Sequence, residues 1–398
     1  PRPIFFSQFV TDWSHQAKAM TALGELLDLI RAFARPFLLV SALCLLSNPG
    51  AALRKLRLLH TTVRYLALCK DKKFDVPASD PASFFTRELG GTAESRPGGV
   101  RSYAEKTVIM IRHGESTWND TFNAGDRNKL VFAALWLPNL LYALLVEGYY
   151  FVSGKDFESW FYDSALSAKG VRQAEGLRRH LQRETKRIGT GGARGGAGAA
   201  SREDAAVTLL LALGEQENPS SSVVSSNLRR AMSTAAIGLA DRFAATAVKG
   251  GAAGPGGGDR ILLLPSLQEI SQNPDALSIL PPRGTAHPTW CDDGIPGLPE
   301  GTFAGLIDSR HHGGNKDVKS NGIIRLRQFC RDVFDPTLLP KGCVVATGHS
   351  LFFRSMFQVF LPRGTAHVGK RKKLVNGGTV MVTLREATLE GGGKEYMI

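Results

Sequence analysis

The sequence predicts an α/β fold: a three-layer sandwich in which a mainly parallel central sheet is flanked by helices. Short apolar runs typical of strands alternate with amphipathic stretches of helical spacing. Such alternation favours a parallel sheet, because the crossover between two parallel strands is usually a helix. The chain has 398 residues, 43% of them hydrophobic, which is enough for a large core and excludes a mostly disordered protein. The predicted strands are TVIMI (107–111), SVVSS (222–226), ILLLP (261–265), CVVAT (343–347) and TVMVTL (379–384).

Composition divides the chain into a helical N-terminal extension over residues 1–100 and an α/β domain over residues 101–398, with an insert at about 120–162. Residues 1–75 of the extension are basic and leucine-rich, which is typical of targeting or membrane-surface segments and also of helices packed on a main domain. We favour the packed helices. Glycine-rich stretches at 189–201 and 249–259 lack apolar periodicity and are predicted to be loops.

The insert contains an apolar stretch, 130–152, that holds no charge before Glu147. Its length and composition would suit a membrane span. However, Pro138 and Glu147 interrupt it, and it lies inside the α/β pattern rather than outside. A buried or interfacial helix is therefore the preferred interpretation, and its apolar surface leaves peripheral membrane contact as an open alternative.

The net charge indicates which class of partner to expect, and the cysteine content indicates the cellular compartment. The 49 Lys and Arg outnumber the 36 Asp and Glu, giving a net charge of +13 that favours anionic partners. Nucleic acid is not predicted, because zinc-finger spacing, aromatic RNA-binding signatures and basic heptads are missing from the sequence. The five cysteines are scattered without a C-x-x-C pair, so neither a disulfide framework nor structural zinc is expected and an intracellular reducing compartment is favoured. The sequence does not predict an oligomeric state.

The segment IMIRHGESTWN (109–119) holds the strongest chemical signal. A predicted strand ends at Ile111 and the chain turns at Gly114, which exposes His113 and nearby backbone N–H groups at the sheet edge. A neutral imidazole at such a turn can attack phosphorus and form a phosphohistidine. The Arg112 guanidinium matches the geometry of phosphate oxygens. The segment therefore predicts a phosphate site.

The same segment resembles the RHG(E)-S-x-W-N signature of the histidine phosphatase superfamily, in its phosphoglycerate-mutase-like branch. Four later segments are similar to family segments in the same order: DSALSAKGVRQAEGL (163–177), SSNLRRAMSTA (225–235), PSLQEIS (265–271) and VVATGHS (344–350). The resemblance covers about 107–384, with insertions. It implies a mechanism that requires neither a metal nor an organic cofactor.

The resemblance also implies the donors that would surround a bound phosphoryl group. It makes Arg230 a second phosphate-binding arginine and His349 a second active-site histidine. A phosphorane-like transition state spreads charge over three equatorial oxygens, so several fixed donors are needed. Arg112, Arg230 and His349 can supply them from three strand ends, whereas Arg229 is interpreted as a solvated helix charge.

The leaving alkoxide needs a proton, which a carboxylic acid of raised pKa can give. Glu269, after the ILLLP strand, is the predicted acid, and Asp275 in the same loop is the alternative. Ser116 and Asn119 are predicted phosphate contacts at a helix start, with simple helix capping as the other interpretation. The basic run 363–373 is interpreted as a solvated loop, although it could instead face an anionic substrate or contact lipid headgroups.

These observations predict a metal-independent phosphatase that hydrolyses a small-molecule or protein phosphate monoester through a phosphohistidine on His113. One alternative is a phosphoglycerate mutase-type phosphotransferase. It is disfavoured because no F-x-G-W-x-D-x-x-L stretch closely follows the RHGE segment and no R-x-Y-G pattern follows Glu269. The other alternative is a catalytically idle membrane-associated or scaffold protein, which has no physical need for the complete set of site residues.

Overall fold

The computed structural model describes residues 46–85, 100–125, 127–191, 201–212, 221–249 and 259–398, with seven single helical residues between 24 and 43. Most of the predicted N-terminal helical extension lies outside the described residues, as do the central parts of both glycine-rich stretches. The chain separates into two compact units. The first is Pro1–Leu56 with Leu145–Asp156, and the second is Arg57–Leu144 with Phe157–Ile398.

A seven-stranded sheet forms the centre of the second unit. Its strands are β1 (Val100–Arg112), β2 (Ser221–Ser225), β3 (Ile261–Leu263), β4 (Ile307–Asp308), β5 (Cys343–Gly348), β6 (Thr379–Leu389) and β7 (Lys394–Met397). The order is β4-β3-β2-β5-β1-β6-β7. The first five strands in this order pair in parallel, and β6 and β7 then add antiparallel pairs at one edge. The predicted α/β class with a mainly parallel sheet is confirmed.

The helices flank the sheet and connect its strands. They are α1 (Pro49–Leu68), α2 (Ala82–Phe85), α3 (Thr117–Phe122), α4 (Lys129–Val152), α5 (Ala168–Gly191), α6 (Arg202–Leu211), α7 (Arg229–Gly238), α8 (Ala240–Lys249), α9 (Phe303–Leu306), α10 (Gly322–Phe334) and α11 (Ser350–Phe360). Helix α5 therefore extends into the first glycine-rich stretch, and Ser201 at the end of that stretch caps α6 with a capping box.

Two hydrophobic layers hold the helices against the sheet. Because successive strand side chains point to opposite faces, Ile109 and Ile111 of β1 pack into one core with α5, α6, α7 and α8. Val108 and Met110 pack into the other core with α10 and α11. A strand covered on both faces needs apolar side chains on both, which explains the uninterrupted TVIMI run. The predicted three-layer arrangement follows from these two cores.

The apolar stretch 130–152 forms α4, a continuous helix that contains Pro138. Among the described residues, α4 is the one helix whose length and composition would let it cross a membrane. Only 6% of the most apolar 18-residue part of α4 is buried. The interpretation of α4 as a buried helix is therefore wrong, and its interpretation as an interfacial helix remains.

Candidate active site

A cleft of about 730 Å³ opens in the second unit at the carboxyl ends of the parallel strands. Ligand groups commonly collect at this edge of an open α/β sheet. Six of the residues considered from the sequence line the cleft: Arg112, His113, Asn119, Arg230, Glu269 and Asp275. His349 and Ser116 are fully buried.

Pairing between β1 and β5 brings the two predicted histidines together. Arg112 lies opposite Gly348 in the parallel register, and the His113 backbone N–H donates to the Gly348 carbonyl at 3.0 Å. His113 and His349 are the residues that follow these two paired positions, one in each strand's continuation, and they therefore lie side by side. Their ring centroids are 4.9 Å apart.

The surroundings of His113 fix its tautomer and its charge. Its Nδ1 lies 2.5 Å from the Gly114 carbonyl oxygen, which can only accept a hydrogen bond, so Nδ1 carries the proton. Nε2 then keeps its lone pair. Burial, with the nearby Arg230 and Arg112 cations, holds the pKa of His113 well below its ordinary value. The imidazole of His113 is therefore neutral at physiological pH.

Position 114 requires glycine because the backbone of another segment lies too close to leave room for a side chain. A Cβ on Gly114 would lie 2.4 Å from the Gly170 carbonyl oxygen, and one on Gly170 would lie 2.0 Å from that of Glu115. The loop after β1 thus packs directly on the first turn of α5. The Gly114 N–H also donates to Thr234 Oγ1 at 3.0 Å, which ties the loop to α7.

Two arginines line the cleft, and each is anchored to a backbone carbonyl. Arg112 Nη1 donates to the Leu374 carbonyl at 2.5 Å, and Arg230 Nη1 donates to the Asp275 carbonyl at 2.7 Å. The Nε atoms of both arginines are buried without a hydrogen-bond partner. Buried donors are costly when unsatisfied, and an oxyanion in the cleft would satisfy them.

His349 and Glu269 complete the group around His113. His349 Nε2 lies 2.8 Å from Ser226 Oγ, so Nδ1 is the ring nitrogen that faces Glu269. That Nδ1 is 3.7 Å from Glu269 Oε2, and neither it nor Glu269 Oε1 has a hydrogen-bond partner. Burial and the neighbouring Arg230 and His113 hold the pKa of His349 well below its ordinary value.

The raised pKa expected of the acid is found on the alternative carboxyl group. Burial raises the pKa of Asp275 to about 6, against the opposing effect of Arg230. Its Oδ2 lies 3.5 Å from Arg230 Nη2, so this carboxyl group orients the arginine. Glu269 is the carboxylate that faces the histidines.

Ser116 acts as the N-cap of α3. Its Oγ accepts a hydrogen bond from the Asn119 backbone N–H at 3.3 Å, and its side chain does not line the cleft. The structure therefore gives Ser116 the capping role that was the alternative in the sequence. Asn119 lines the cleft and remains a predicted phosphate contact.

Arg229 differs from its interpretation as a solvated helix charge, because it is buried. Its Nη1 donates to Glu158 Oε2 at 2.8 Å, and its Nε donates to the Asp163 carbonyl at 2.8 Å. These contacts fasten the segment that follows α4 to the start of α7, which carries Arg230. Arg229 therefore has a structural role next to the site.

Three lysines that the motifs did not identify also line the cleft: Lys72, Lys169 and Lys373. Lys373 ends the basic run interpreted as a solvated loop, and burial lowers its pKa. Lys169 Nζ lies 3.3 Å from Glu115 Oε2. Lys72 follows α1, and no sequence motif marks it. With Arg112 and Arg230 these cationic groups outnumber the carboxyl groups of the lining, which are Glu115, Glu269 and Asp275. This excess of positive charge favours an anionic substrate.

A buried ion-pair network supports the loop that carries Glu269. We call Asp71, Lys316 and Arg325 the Asp71 cluster. Lys316 Nζ and Arg325 Nη2 each lie 2.7 Å from the Asp71 carboxylate. Lys316 Nζ also donates to the Glu269 carbonyl at 2.7 Å, while Asp71 Oδ2 accepts from the Ser271 N–H at 3.1 Å. Because Arg325 Nη1 also donates to the Gln268 carbonyl, the cluster fixes the backbone on both sides of the Glu269 side chain.

One nitrogen or oxygen atom from each of His113, Glu269 and His349 lies within 4.8 Å of the others. This spacing would suit a metal ion as well as a phosphoryl group. Burial, with the nearby Arg230 and Arg112 cations, lowers the pKa of His113 and so disfavours positive charge there. Electrostatics at this point therefore favour an anion over a divalent cation.

Comparison with known proteins gives only distant likenesses. No family model and no curated protein matches the chain. Among solved structures, a mycobacterial hydrolase is 15% identical with a TM-score of 0.30, the match covering 73% of this chain and 95% of the other. A mycobacterial glucosyl-3-phosphoglycerate phosphatase is 15% identical with a TM-score of 0.28, covering 71% and 91%.

A phosphoserine phosphatase from Entamoeba histolytica is 11% identical with a TM-score of 0.27, covering 73% of this chain and 95% of the other. Likeness at this level does not indicate what this protein binds or transforms. Its chemistry follows from its own residues.

Proposed function

We propose that the protein is a phosphatase of the histidine phosphatase superfamily that transfers a phosphoryl group from a phosphate monoester to His113 and then to water. The observation that carries the proposal is the neutral, correctly protonated His113 imidazole beside His349, between two arginines with unsatisfied Nε donors. A structural histidine pair would not need that cationic surrounding.

In the first step, His113 Nε2 attacks phosphorus and the bond from phosphorus to the ester oxygen breaks. The Gly114 carbonyl, which accepts from Nδ1, stabilises the imidazolium character that develops on the ring. Arg112, Arg230 and His349 donate to the equatorial oxygens. Glu269 is the proposed acid that gives a proton to the leaving oxygen, so the products are an alcohol and a phosphohistidine.

In the second step, the Glu269 carboxylate takes a proton from water as the water oxygen attacks phosphorus. The bond from phosphorus to Nε2 breaks, inorganic phosphate leaves, and His113 and Glu269 regain their starting protonation. We propose that this cycle needs no metal and no organic cofactor, because two histidines and two arginines supply the charge stabilisation.

Phosphate release from an aryl phosphate, measured with and without a chelator, tests the proposal. Turnover that resists the chelator and depends on His113 supports it. Loss of turnover in chelator with recovery on adding a divalent cation would contradict metal independence. Isomerisation of a phosphorylated sugar acid without phosphate release would favour the mutase alternative.

Replacing Glu269 with glutamine is expected to slow turnover of an alkyl phosphate by roughly 10²- to 10⁴-fold, because a poor leaving group needs the proton. The loss should be much smaller with an aryl phosphate, whose leaving group is stable as an anion. Steady-state kcat/KM for the two substrates measures the difference.

Asp275→Asn is the matched control for Glu269→Gln. Asp275 orients Arg230 through contacts to its Nη atoms, so its replacement should affect both substrates by a similar factor. If Asp275→Asn instead shows the stronger dependence on the leaving group, Asp275 is the acid and the assignment to Glu269 is wrong.

The lowered pKa of His113 predicts the acidic side of the pH profile. A group with a lowered pKa stays unprotonated until the pH falls to that lower value, so the nucleophile remains competent through pH 6.5. We expect kcat/KM, which reports on the free enzyme, to show no loss from His113 protonation between pH 7.5 and 6.5. An acid limb at 6.5 or above, after correction for substrate ionisation, would contradict this expectation.

A further inference from the structure

Helix α4 presents apolar side chains around most of its circumference rather than along one stripe. Leu130 is 81% exposed and Leu145 is 73% exposed, at opposite ends of the helix. Between them, Leu137 and Leu141 are each more than half exposed. Soluble proteins seldom leave a contiguous apolar surface of this extent in water. The helix therefore needs an apolar environment that the described part of the chain does not supply.

The charge pattern of α4 fits such an environment. Glu147 is the single charged residue between Leu130 and Val152, and it forms an ion pair with Lys55 of α1. The Lys55 ammonium also lies 4.4 Å from the Phe151 ring centroid. Both charged side chains are largely buried by this contact. An intramembrane carboxylate is tolerated when it is paired in this way.

The ends of α4 carry groups that suit a lipid headgroup layer. Lys129 begins the helix and Lys155 follows it closely, and both are exposed. Lysines at such positions are attracted to anionic headgroups. Tyr149 and Tyr150 lie at the C-terminal end, where amphipathic rings are typical of the membrane–water boundary.

Chain length decides between a helix that spans a bilayer and one that lies in its surface. Trp160, which follows α4, is held in the second unit, where its Nε1 donates to Thr121 Oγ1 at 2.9 Å. From Val152 to Trp160 the chain advances eight residues and reaches about 26 Å when fully extended. The hydrocarbon core is about 30 Å thick. A spanning α4 would leave the chain unable to return to Trp160.

A ring contact at the middle of α4 agrees with this limit. Tyr142 meets Trp160 edge to face with ring centroids 5.5 Å apart. The middle of α4 is therefore in contact with Trp160 of the second unit. A helix that spans a bilayer could not hold this position. We propose that α4 lies in the plane of a membrane interface and docks the protein on a bilayer that contains anionic lipid. This surface is separate from the cleft and does not depend on the reaction proposed for it.

The test is flotation of the full chain with vesicles of phosphatidylcholine that contain phosphatidylserine. Wild type is expected to float with the vesicles, less so when phosphatidylserine is omitted. Leu137→Glu combined with Leu141→Glu should lower vesicle-bound protein at least tenfold, because two exposed leucines become charged. The matched control is Ile324→Glu with Val368→Glu, two apolar residues outside α4 that are exposed to a similar degree. The control pair should bind as wild type does.

Circular dichroism verifies that each variant is folded, and Leu130→Glu with Leu145→Glu is a second pair at the helix ends if the first unfolds. Failure of wild type to float would overturn the proposal. So would equal flotation of the α4 variants and wild type. Self-association without vesicles that the α4 variants abolish would instead make α4 an interface between copies of the chain. Labelling of Leu130→Cys and of Val152→Cys from opposite sides of sealed vesicles would overturn the in-plane position.

Discussion

Replacing His113 with alanine is expected to lower phosphate release from an aryl phosphate by at least about 10⁴-fold, the size of effect seen when a covalent nucleophile is removed. Arg112, Arg230 and His349 would still bind the phosphoryl group, but water would have to attack it without a preceding phosphoenzyme. Release of inorganic phosphate from purified wild type and variant, followed in chelator, measures this loss.

Trapping the intermediate distinguishes a nucleophile from a residue that only supports the site. Wild type quenched during turnover of ³²P-labelled substrate should retain label that is lost in acid and kept in alkali, as expected of a phosphoramidate. His113→Ala should retain none. His180→Ala is the matched control, since His180 is a partly exposed histidine of α5 outside the cleft, and it should retain label as wild type does.

Full activity of His113→Ala would remove His113 from the nucleophile role. Label that is stable in acid would place the phosphoryl group on a different side chain. Absence of wild-type turnover between pH 5 and 8 would leave the phosphatase proposal without support and turn attention to the mutase and scaffold alternatives.

The strands next to the site could be predicted from the sequence because their signals are local. Each run among TVIMI, SVVSS, ILLLP and CVVAT is a short apolar segment followed at once by polar or charged residues. A parallel sheet brings such strand ends to one edge. His113 and His349 therefore meet because β1 and β5 are neighbours, which each segment alone does not reveal.

Elements stabilised by pairing rather than by composition were harder to predict. Strand β4 has two residues, and β7 has the polar sequence KEYM. The first half of β1, VRSYAEK, is also polar and is held by antiparallel pairing with β6. Near a sheet edge one face is solvated, so apolar runs do not mark these strands.

Polar contacts between residues far apart in the chain were even harder to predict from the sequence. Arg229 has the composition of an exposed helix residue, yet a carboxylate and carbonyls of the segment 157–163 surround it. Asp71 lies outside every motif and 245 positions from Lys316. Partners this far apart become neighbours only when the whole sheet assembles, so local pattern carries no information about them.

Replacing Asp71 with asparagine is expected to lower the free energy of unfolding by about 3–5 kcal/mol, the cost of removing one partner from a buried ion pair. Asparagine keeps nearly the same shape but leaves the cations of Lys316 and Arg325 buried close together. Burial already lowers the pKa of Lys316 to about 8, although Asp71 opposes that change. Unfolding by urea, followed by circular dichroism, measures the difference.

Two further variants distinguish the loss of the Asp71 cluster from a general loss of stability. One removes an exposed ion pair, and the other combines two substitutions within the cluster. Glu105→Gln removes a carboxylate from an exposed pair with Arg385 and should cost at most about 1 kcal/mol. Asp71→Asn combined with Lys316→Met should be more stable than Asp71→Asn alone, because the unpaired buried ammonium is gone. Purely additive losses would show that the two side chains are not coupled. Coupling would mean that a segment outside every recognisable motif holds the Glu269 loop in place, through the bonds from Lys316 to Glu269 and from Ser271 to Asp71.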